Sequence, residues 1–331
     1  MAARIVVIGL SNIGDAVLMA PVIERLHRLF PDAELTLLAG DRARAVFDRD
    51  PRVHRVVAMD EFSGPAGRLR LVGWLWSARA DLLVDLRQTV LPLLWKPWRL
   101  ARYYRPVPRR LTHMRQRHLW RLSAQLGHKL ADCEHQPATC SLWISEEDRA
   151  AVDALLRRWV VDASRPLVVI SPGARSHTKR WYADRFAAVA DRLIDEARAE
   201  VILTGEPDEA PVIRDVLGSM RRRAHSAVGS TTIRQLGALM ERAGVVITND
   251  SAALHVAGAV GAPVLALFGP TDPAKYGPTG PRGRVIRREL FCAPCEASLC
   301  RYHHECMRFV SSDEVYAAAK AMLTCPPRNA S

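Results

Sequence analysis

Residues 244–273 read GVVITNDSAALHVAGAVGAPVLALFGPTDP, and this stretch predicts the fold. An apolar run at 244–248 is followed by the polar stretch 249–255 and then by a helix pattern of small residues at 256–260. A second apolar run, 264–268, leads into a Gly-Pro loop. Strand, polar turn, helix and strand in this order are typical of an open α/β sheet, where ligands bind at the carboxyl ends of the strands. The amides and dipole at the helix start favour a phosphate group.

Composition places the chain among globular proteins of two domains. Its 331 residues are 49% hydrophobic and 25% charged, which excludes a disordered chain. The net charge of +12 indicates an anionic partner. Nucleic acid, a membrane surface and a phosphorylated substrate would each be such a partner.

Strand and helix patterns alternate along the rest of the chain. The predicted strands are residues 5–8, 34–38, 81–86, 167–170 and 200–203, and the predicted helices are residues 15–30, 150–160, 184–197 and 313–323. A capping box, Ser145-Glu146-Glu147-Asp148, opens the helix at 150–160. The turn Ser164-Arg165-Pro166 separates two βαβ series, so we predict domains at residues 1–163 and 164–331. The pattern leaves open which domain holds the last helix.

The chain start and the uncharged stretch 251–271 indicate where in the cell the protein acts. Residues 1–8 lack the pattern of a secretory signal, so we expect a cytoplasmic protein. Gly258, Gly261 and Pro263 interrupt the uncharged stretch, which predicts a buried helix and strand rather than a membrane span.

Four segments together resemble glycosyltransferase family 9, the ADP-heptose:lipopolysaccharide heptosyltransferases. They are residues 10–15 (LSNIGD), 171–174 (SPGA) with 179–181 (KRW), 250–255 (DSAALH) and 268–273 (FGPTDP). The resemblance implies a GT-B architecture, in which two Rossmann-like doubly wound domains face each other across a cleft. It also implies that the N-terminal domain holds the acceptor and the C-terminal domain the sugar nucleotide.

Asp15 follows a glycine turn at a predicted helix start. By itself this pattern favours a helix cap. The resemblance implies instead that Asp15 is the general base, which takes the proton of an acceptor hydroxyl during an inverting displacement. Asn12 and Gly14 beside it are then expected to contact the acceptor.

Lys179 is the phosphate-contacting residue that the resemblance implies. It would stabilise the leaving diphosphate, with Arg180 assisting and with Ser171, Gly173 and Ala174 forming the turn beneath it. The alternative is a solvated pair of cations, but cations at a helix start oppose its dipole. Charges from the protein make a metal or other cofactor unnecessary for the chemistry, so the ADP-sugar is expected as substrate without a cofactor.

The donor nucleotide is expected at the second polar turn. The resemblance assigns its contacts to Asp250, Ser251, Ala252, Ala253 and His255. Ala252 stands where the family has glycine, which adds a methyl group near the ligand. Without the resemblance, His255 would more often be a buried core histidine than a ligand. A carboxylate of the segment 205–209 would bind the ribose, and family spacing favours Glu209 over Glu206.

Two sequence patterns suit metal ions. Asp48-Arg49-Asp50 has the Asp-x-Asp spacing that can hold a divalent metal ion. It precedes a proline in a predicted loop, so solvated loop acids are the favoured interpretation. Four cysteines cluster as Cys292, Cys295, Cys300 and Cys306, a spacing that allows a structural zinc or iron–sulfur site. Reduced structural thiols are the alternative.

A basic stretch without acidic residues lies between Asp85 and Asp132. Its cations are Arg87, Lys96, Arg99, Arg102, Arg105, Arg109, Arg110, Arg115, Arg117, Arg121 and Lys129, interleaved with Trp95, Trp98, Tyr103, Tyr104 and Trp120. We expect Arg109 and Arg110 to bind acceptor phosphates, and the stretch to meet the anionic inner leaflet. A solvated basic face is the alternative.

The resemblance implies an inverting, metal-independent transferase that moves heptose from ADP-heptose to a lipopolysaccharide inner-core acceptor. Such an enzyme would act in the cytoplasm or peripherally on the cytoplasmic face of the inner membrane. A basic nucleic-acid or anionic-surface binding protein is the competing class, although the resemblance gives no reason to expect nucleic acid. A sugar-nucleotide epimerase of similar fold is the third hypothesis.

Overall fold

The computed structural model describes residues 2–95, 100–127 and 142–324. The chain forms two compact units that divide between Trp143 and Ile144. Each unit carries one parallel β-sheet with helices between successive strands, as the alternating pattern predicted.

The sheet of the first unit has four strands in the order β3-β2-β1-β4. They are β1 (Arg4–Ile8), β2 (Glu34–Ala39), β3 (Arg55–Ala58) and β4 (Leu82–Asp85). The helices are α1 (Ile13–Leu29), α2 (Asp41–Phe47), α3 (Gly64–Ser77), α4 (Leu91–Trp95), α5 (Leu100–Tyr103) and α6 (Met114–Leu126), with a 3₁₀ turn at Met59–Phe62. The strand order reverses between β1 and β4, which places a topological switch point at their carboxyl ends.

The sheet of the second unit has six strands in the order β10-β9-β8-β5-β6-β7. They are β5 (Leu167–Ser171), β6 (Glu200–Leu203), β7 (His225–Ser226), β8 (Val245–Asn249), β9 (Val264–Phe268) and β10 (Gly283–Arg287). Counted from β5, this is the strand order of the dinucleotide-binding fold, and its switch point lies between β5 and β8.

Helices cover both faces of the second sheet. They are α7 (Glu146–Arg158), α8 (Ala183–Ala197), α9 (Ala210–Ser219), α10 (Ile233–Glu241), α11 (Ala252–Ala259), α12 (Pro273–Tyr276), α13 (Glu305–Arg308) and α14 (Ser312–Thr324), with 3₁₀ turns at His177–Lys179 and Pro207–Glu209. The last helix, α14, packs on α8, where Tyr316 Oη donates to Glu196 over 2.7 Å. The structure thereby places the C-terminal helix in the second unit.

The predicted boundary at residue 164 lies inside the second unit, because α7 belongs to that unit. The predicted capping box is confirmed, with Ser145 Oγ accepting from Asp148 N over 3.0 Å. Arg149 Nε lies 2.9 Å from a Glu241 carboxylate oxygen, and Arg234 Nε lies 3.1 Å from Asp148 Oδ2. These ion pairs join α7 to α10, so the compact unit begins before the Pro-containing turn.

The uncharged stretch 251–271 forms α11 and β9, as predicted. No helix within the described ranges is both long and apolar enough to cross a bilayer.

Candidate active site

The ends of β5 and β8 meet at the switch point of the second unit. Asn249, the last residue of β8, is fully buried there. Its Nδ2 donates to Pro172 O over 2.7 Å, and its Oδ1 accepts from Trp181 N over 3.1 Å. Asn249 therefore holds together both ends of the loop that carries Lys179. Sequence reasoning did not assign this residue a role, although an amide at the end of an apolar strand is the signal for it.

Lys179 and Asp250 form an ion pair at this point. Lys179 Nζ lies 2.7 Å from Asp250 Oδ2, with the lysine side chain 29% exposed and the aspartate side chain 5% exposed. Lys179 Nζ also lies 5.9 Å from the ring centre of Tyr276. Two residues that are 71 positions apart, and that the sequence assigned to one ligand, are thus brought together.

The N-terminus of α11 adjoins this ion pair. Ser251 precedes the helix without a side-chain bond to its first amides, and its Oγ lies 3.1 Å from Thr248 Oγ1. Ser251 and Ala252 are partly exposed, whereas Ala253 and His255 are buried in the helix. First-turn amides have no partner within their own helix, and together with the helix dipole they make this end suitable for an anion.

The carboxyl group of Glu209 lies against Gly173. A Cβ atom added to Gly173 would lie 2.2 Å from Glu209 Cδ, so glycine is required for this approach. Glu209 Oε2 accepts from Glu206 N over 2.9 Å. Burial raises the pKa of Glu209, the Glu206 amide opposes that shift, and the carboxylates of Glu206 and Asp208 add to it. The charge of Arg180, whose Nε donates to Ala174 O over 2.8 Å, acts to lower the same pKa.

These contacts bring together the residues that the sequence assigned to the donor. Ser171, Gly173, Ala174, Lys179, Arg180, Glu209 and Asp250 all lie at the carboxyl edge of the second sheet or in the turns that follow it. A cation, the first-turn amides of a helix and a carboxylate at one edge suit the diphosphate and ribose of a nucleotide.

Asp15 lies in the first turn of α1, at the switch point of the first unit. The residue at the N-cap is Asn12, so Asp15 is not the cap that its position alone favoured. Asn12 Nδ2 donates to Asp15 Oδ2 over 3.1 Å, and Gly14 lies between them in the same turn. Arg87, which follows β4, donates from Nη1 to Ser11 Oγ over 3.1 Å. A partly exposed carboxylate, an amide and a cation therefore share this edge of the first sheet.

Arg109 and Arg110 are exposed in the turn that precedes α6. Of the basic stretch, Lys96, Trp98, Arg99 and Lys129 lie outside the described residues. Asp50 of the Asp-x-Asp pattern is 2% exposed and accepts from Arg52 Nε and Nη2 over 2.9 and 2.6 Å. Asp50 is therefore a buried acid paired with Arg52, and the interpretation of a solvated acid is wrong at this position.

A family model described as glycosyltransferase family 9 (heptosyltransferase) matches residues 102–305. This chain belongs to glycosyltransferase family 9. Similar curated proteins include lipopolysaccharide heptosyltransferase 2 of Escherichia coli K12, 24% identical over 329 residues, with 86% of this chain and 88% of that protein covered. Lipopolysaccharide heptosyltransferase 3 of Escherichia coli is 28% identical over 297 residues, with 78% and 81% covered. The family resemblance is thereby confirmed, and the chain is a glycosyltransferase.

Solved structures of family 9 share the fold. The structure of E. coli ADP-heptose LPS heptosyltransferase II matches with a TM-score of 0.77 at 23% identity, covering 97% of this chain and 98% of that one. A family 9 glycosyltransferase from Veillonella parvula matches with a TM-score of 0.83 at 22% identity and 97% coverage of both chains. The predicted GT-B class, with two Rossmann-like domains, is confirmed, and the matches favour neither the nucleic-acid nor the epimerase hypothesis.

The cysteine cluster of this family 9 chain lines one cavity of about 360 Å³, together with Thr178 and His304. Cys292, Cys295, Cys300 and Cys306 are free thiols. Burial raises the pKa of Cys306 to about 11, and nearby Cys300 contributes, so this thiol is protonated at neutral pH. Within the described ranges, no group of three or more His, Cys, Asp or Glu side chains is arranged to hold a metal ion. A structural metal at these cysteines stays a prediction.

Proposed function

We propose that this protein transfers a heptose from ADP-heptose to a phosphorylated inner-core acceptor of lipopolysaccharide. The observation that supports binding of the sugar-nucleotide donor is the Lys179–Asp250 ion pair beside the amino end of α11. A lysine cation and the first-turn amides of a helix at one switch point both attract a diphosphate. The heptose and the lipopolysaccharide acceptor are supported by the names of the curated relatives, which are lipopolysaccharide heptosyltransferases.

The proposed reaction is a displacement at the anomeric carbon. An acceptor hydroxyl oxygen forms the new bond while the bond from the anomeric carbon to the diphosphate oxygen breaks. Asp15 takes the hydroxyl proton, and ADP leaves with the electron pair. Attack from the side opposite the leaving group inverts the configuration at that carbon.

We assign to Lys179 the stabilisation of the negative charge that develops on the leaving diphosphate. Because the ion pair with Asp250 fixes the ammonium group before the donor arrives, little reorganisation is needed during the reaction. Glu209 is assigned to the ribose hydroxyls, and its contact with Gly173 places the carboxyl group at the same sheet edge. Arg180 and the turn Ser171, Gly173 and Ala174 complete the donor contacts.

The acceptor is assigned to the first unit, with Asn12 and Gly14 near the base and with Arg109 and Arg110 for its phosphates. Peripheral binding to the cytoplasmic face of the inner membrane is part of the proposal. Trp76 is 62% exposed and Leu94 is 44% exposed, and Trp76 Nε1 donates to Leu94 O over 3.0 Å. Exposed apolar side chains in a unit rich in exposed arginines suit an anionic lipid surface.

Metal independence is also proposed, since Lys179 and the helix amides supply the positive charge that the leaving group needs. Transfer should therefore proceed at an unchanged rate in EDTA. Loss of activity in EDTA with rescue by Mg²⁺ would contradict this part of the proposal.

The test of the function itself is transfer with a panel of donors. The protein is incubated with ADP-heptose, a UDP-sugar or a GDP-sugar and a lipopolysaccharide core acceptor that lacks the heptose, and the glycosylated product is measured by mass spectrometry. We expect product only with ADP-heptose, and ADP should raise the melting temperature more than UDP or GDP. Transfer from a UDP- or GDP-sugar alone would overturn the donor assignment.

A further inference from the structure

The segment 290–306, which carries the four clustered cysteines, lies directly against the turn of Lys179. Thr178 Oγ1 donates to Ala297 O over 3.2 Å, and His304 Nε2 is hydrogen-bonded to the carbonyl oxygen of Thr178. Thr178 is 3% exposed, so its carbonyl group has little access to water. The bond to His304 satisfies an acceptor that would be costly to leave unpaired.

The segment is anchored to a second turn, independently of Thr178. The backbone amides of Cys295 and Glu296 donate to Pro270 O over 2.9 and 2.8 Å. Glu296 also pairs with Lys275 over 2.5 Å, and the buried Cys306 packs near Gly269. The ring of His304 is therefore carried by a segment that also has contacts away from the turn of Lys179.

The contacted carbonyl belongs to the peptide bond that joins Thr178 to Lys179. A trans peptide is planar, so fixing the oxygen of Thr178 also fixes the direction of the Lys179 backbone. The turn itself is a short 3₁₀ turn, in which Lys179 N donates to Ser176 O over 3.1 Å. Such short turns have weak internal hydrogen bonds, so an external contact matters to their geometry.

Asn249 holds the two ends of the loop, but the Thr178 part of the turn borders a cavity. Thr178 and His304 both line the cavity of about 360 Å³ that the cysteines share. Where side chains do not fill the space behind a turn, loss of one hydrogen bond lets the backbone shift. A shift there would change the angle from which the Lys179 side chain reaches Asp250 and the donor diphosphate.

We propose that His304 is a positioning residue for Lys179. In the tautomer that carries its proton on Nε2, His304 donates to Thr178 O and holds the Thr178–Lys179 peptide where the ammonium group meets the donor diphosphate. The proposal rests on the proposed function, since it requires that Lys179 contacts the diphosphate. His304 itself touches no reacting atom.

The first measurement is ADP affinity by calorimetry for the full chain and three variants. His304→Ala should weaken ADP binding about five- to tenfold, the effect of one well-placed hydrogen bond. His304→Gln, whose amide nitrogen reaches about as far as Nε2, should restore most of the affinity. The matched control is His303→Ala, because His303 is the exposed neighbour and should bind ADP normally. The KM for donor should rise in His304→Ala while the KM for acceptor stays unchanged.

The deciding measurement is a double-mutant cycle with Lys179. If His304 acts through Lys179, His304→Ala should cause no further loss of ADP affinity in the Lys179→Ala background. An equal loss in both backgrounds would overturn the positioning role and leave the proposed function standing. If Lys179→Ala alone leaves ADP affinity unchanged, the proposed role of Lys179 fails, and the positioning role fails with it. His304→Asn, which keeps a polar side chain but is shorter than glutamine, should reproduce the loss and serves where the alanine variant does not fold.

Discussion

Lys179 Nζ lies 2.7 Å from Asp250 Oδ2, and these two residues come from the turns after neighbouring strands β5 and β8. The strand order of the second unit reverses between these two strands, so their carboxyl ends form a crevice. The ion pair is therefore a consequence of the topology. It places a cation where a doubly wound sheet binds the phosphates of its ligand.

Replacement of Lys179 tests this position most directly. Lys179→Ala should weaken ADP binding by roughly 10- to 100-fold and also lower kcat, because a charged contact to the diphosphate is lost in the ground state and in the transition state. Lys179→Arg, which keeps the charge, should retain more of both. Calorimetry with ADP and steady-state rates provide the readouts, and unchanged ADP affinity in Lys179→Ala would remove the residue from the site.

Asp15 should affect turnover and leave donor binding intact. Asp15→Asn should lower kcat by a factor on the order of 10²–10⁴, since the amide cannot take the acceptor proton. The affinity for ADP should stay unchanged because the donor contacts lie in the second unit. A variant that keeps full turnover while losing about 1 kcal/mol of unfolding free energy would instead assign Asp15 to helix stabilisation.

Much of this site was predictable from the sequence, because strand and turn patterns are local. The strands Glu200–Leu203 and Val264–Phe268 coincide with the predicted runs, since apolar residues fill them except for Glu200 at the start of the first. Parallel strands then dictate that the polar residues after them share one edge. The family resemblance assigned Lys179 and Asp250 to one ligand, and their contact in the structure agrees with that assignment.

The features that the sequence did not yield depend on contacts between distant residues. The strands Arg55–Ala58, His225–Ser226 and Gly283–Arg287 lie at sheet edges and have partly exposed residues, so their patterns are weak. The contact between His304 and Thr178 joins residues 126 positions apart, and no local pattern encodes it. The domain boundary also depends on contacts between distant residues, because ion pairs join α7 to α10 of the second unit.

Glu209 should give ADP binding a pH dependence. Burial raises the pKa of Glu209 above its ordinary value of 4.5, so the folded protein holds this proton to higher pH than the unfolded chain does. The contribution of Glu209 to the free energy of unfolding therefore falls as pH rises above 4.5 through the raised pKa. ADP affinity should rise over the same window, because the ionised carboxylate accepts from the ribose hydroxyls.

Glu209→Gln separates these effects. It should weaken ADP binding by about tenfold near pH 7, the effect of one charged hydrogen bond, and remove the rise of affinity with pH. Relative to the wild type, its free energy of unfolding should increase as pH rises above 4.5. Glu206→Gln is the control for ADP affinity, and a larger effect of that variant would move the ribose contact to Glu206.

His118 should make the protein sensitive to acid. It is fully buried in α6, and within the described residues neither ring nitrogen has a hydrogen-bond partner. Burial, with a contribution from Arg121, lowers its pKa from 6.5 to about 3. The unfolded chain therefore binds this proton first, and stability is lost as pH falls from 6.5 towards 3, by at most about 1.4 kcal/mol per pH unit.

His118→Leu should reduce that loss, because an apolar side chain has no proton to take up. The measurement is the free energy of unfolding in urea at several pH values between 6.5 and 4. His27→Leu, at an exposed histidine of α1, should leave the pH dependence as in the wild type. Equal slopes for wild type and His118→Leu would show that His118 is not the group responsible.

Arg109 and Arg110 decide between binding of a lipid-linked acceptor and binding of nucleic acid. Both are exposed before α6, so reversing their charge should not disturb the core. Arg109→Glu with Arg110→Glu should raise the KM for acceptor and leave the KM for donor unchanged. Adsorption to vesicles of anionic lipid should weaken by about 1 kcal/mol for each cation removed, with strong screening by salt.

Arg222→Glu with Arg223→Glu, an exposed pair in the second unit, is the matched control for net charge. Binding to DNA or RNA at physiological salt, with a steep salt dependence that Arg109 and Arg110 carry and with no transfer from ADP-heptose, would instead establish the nucleic-acid class.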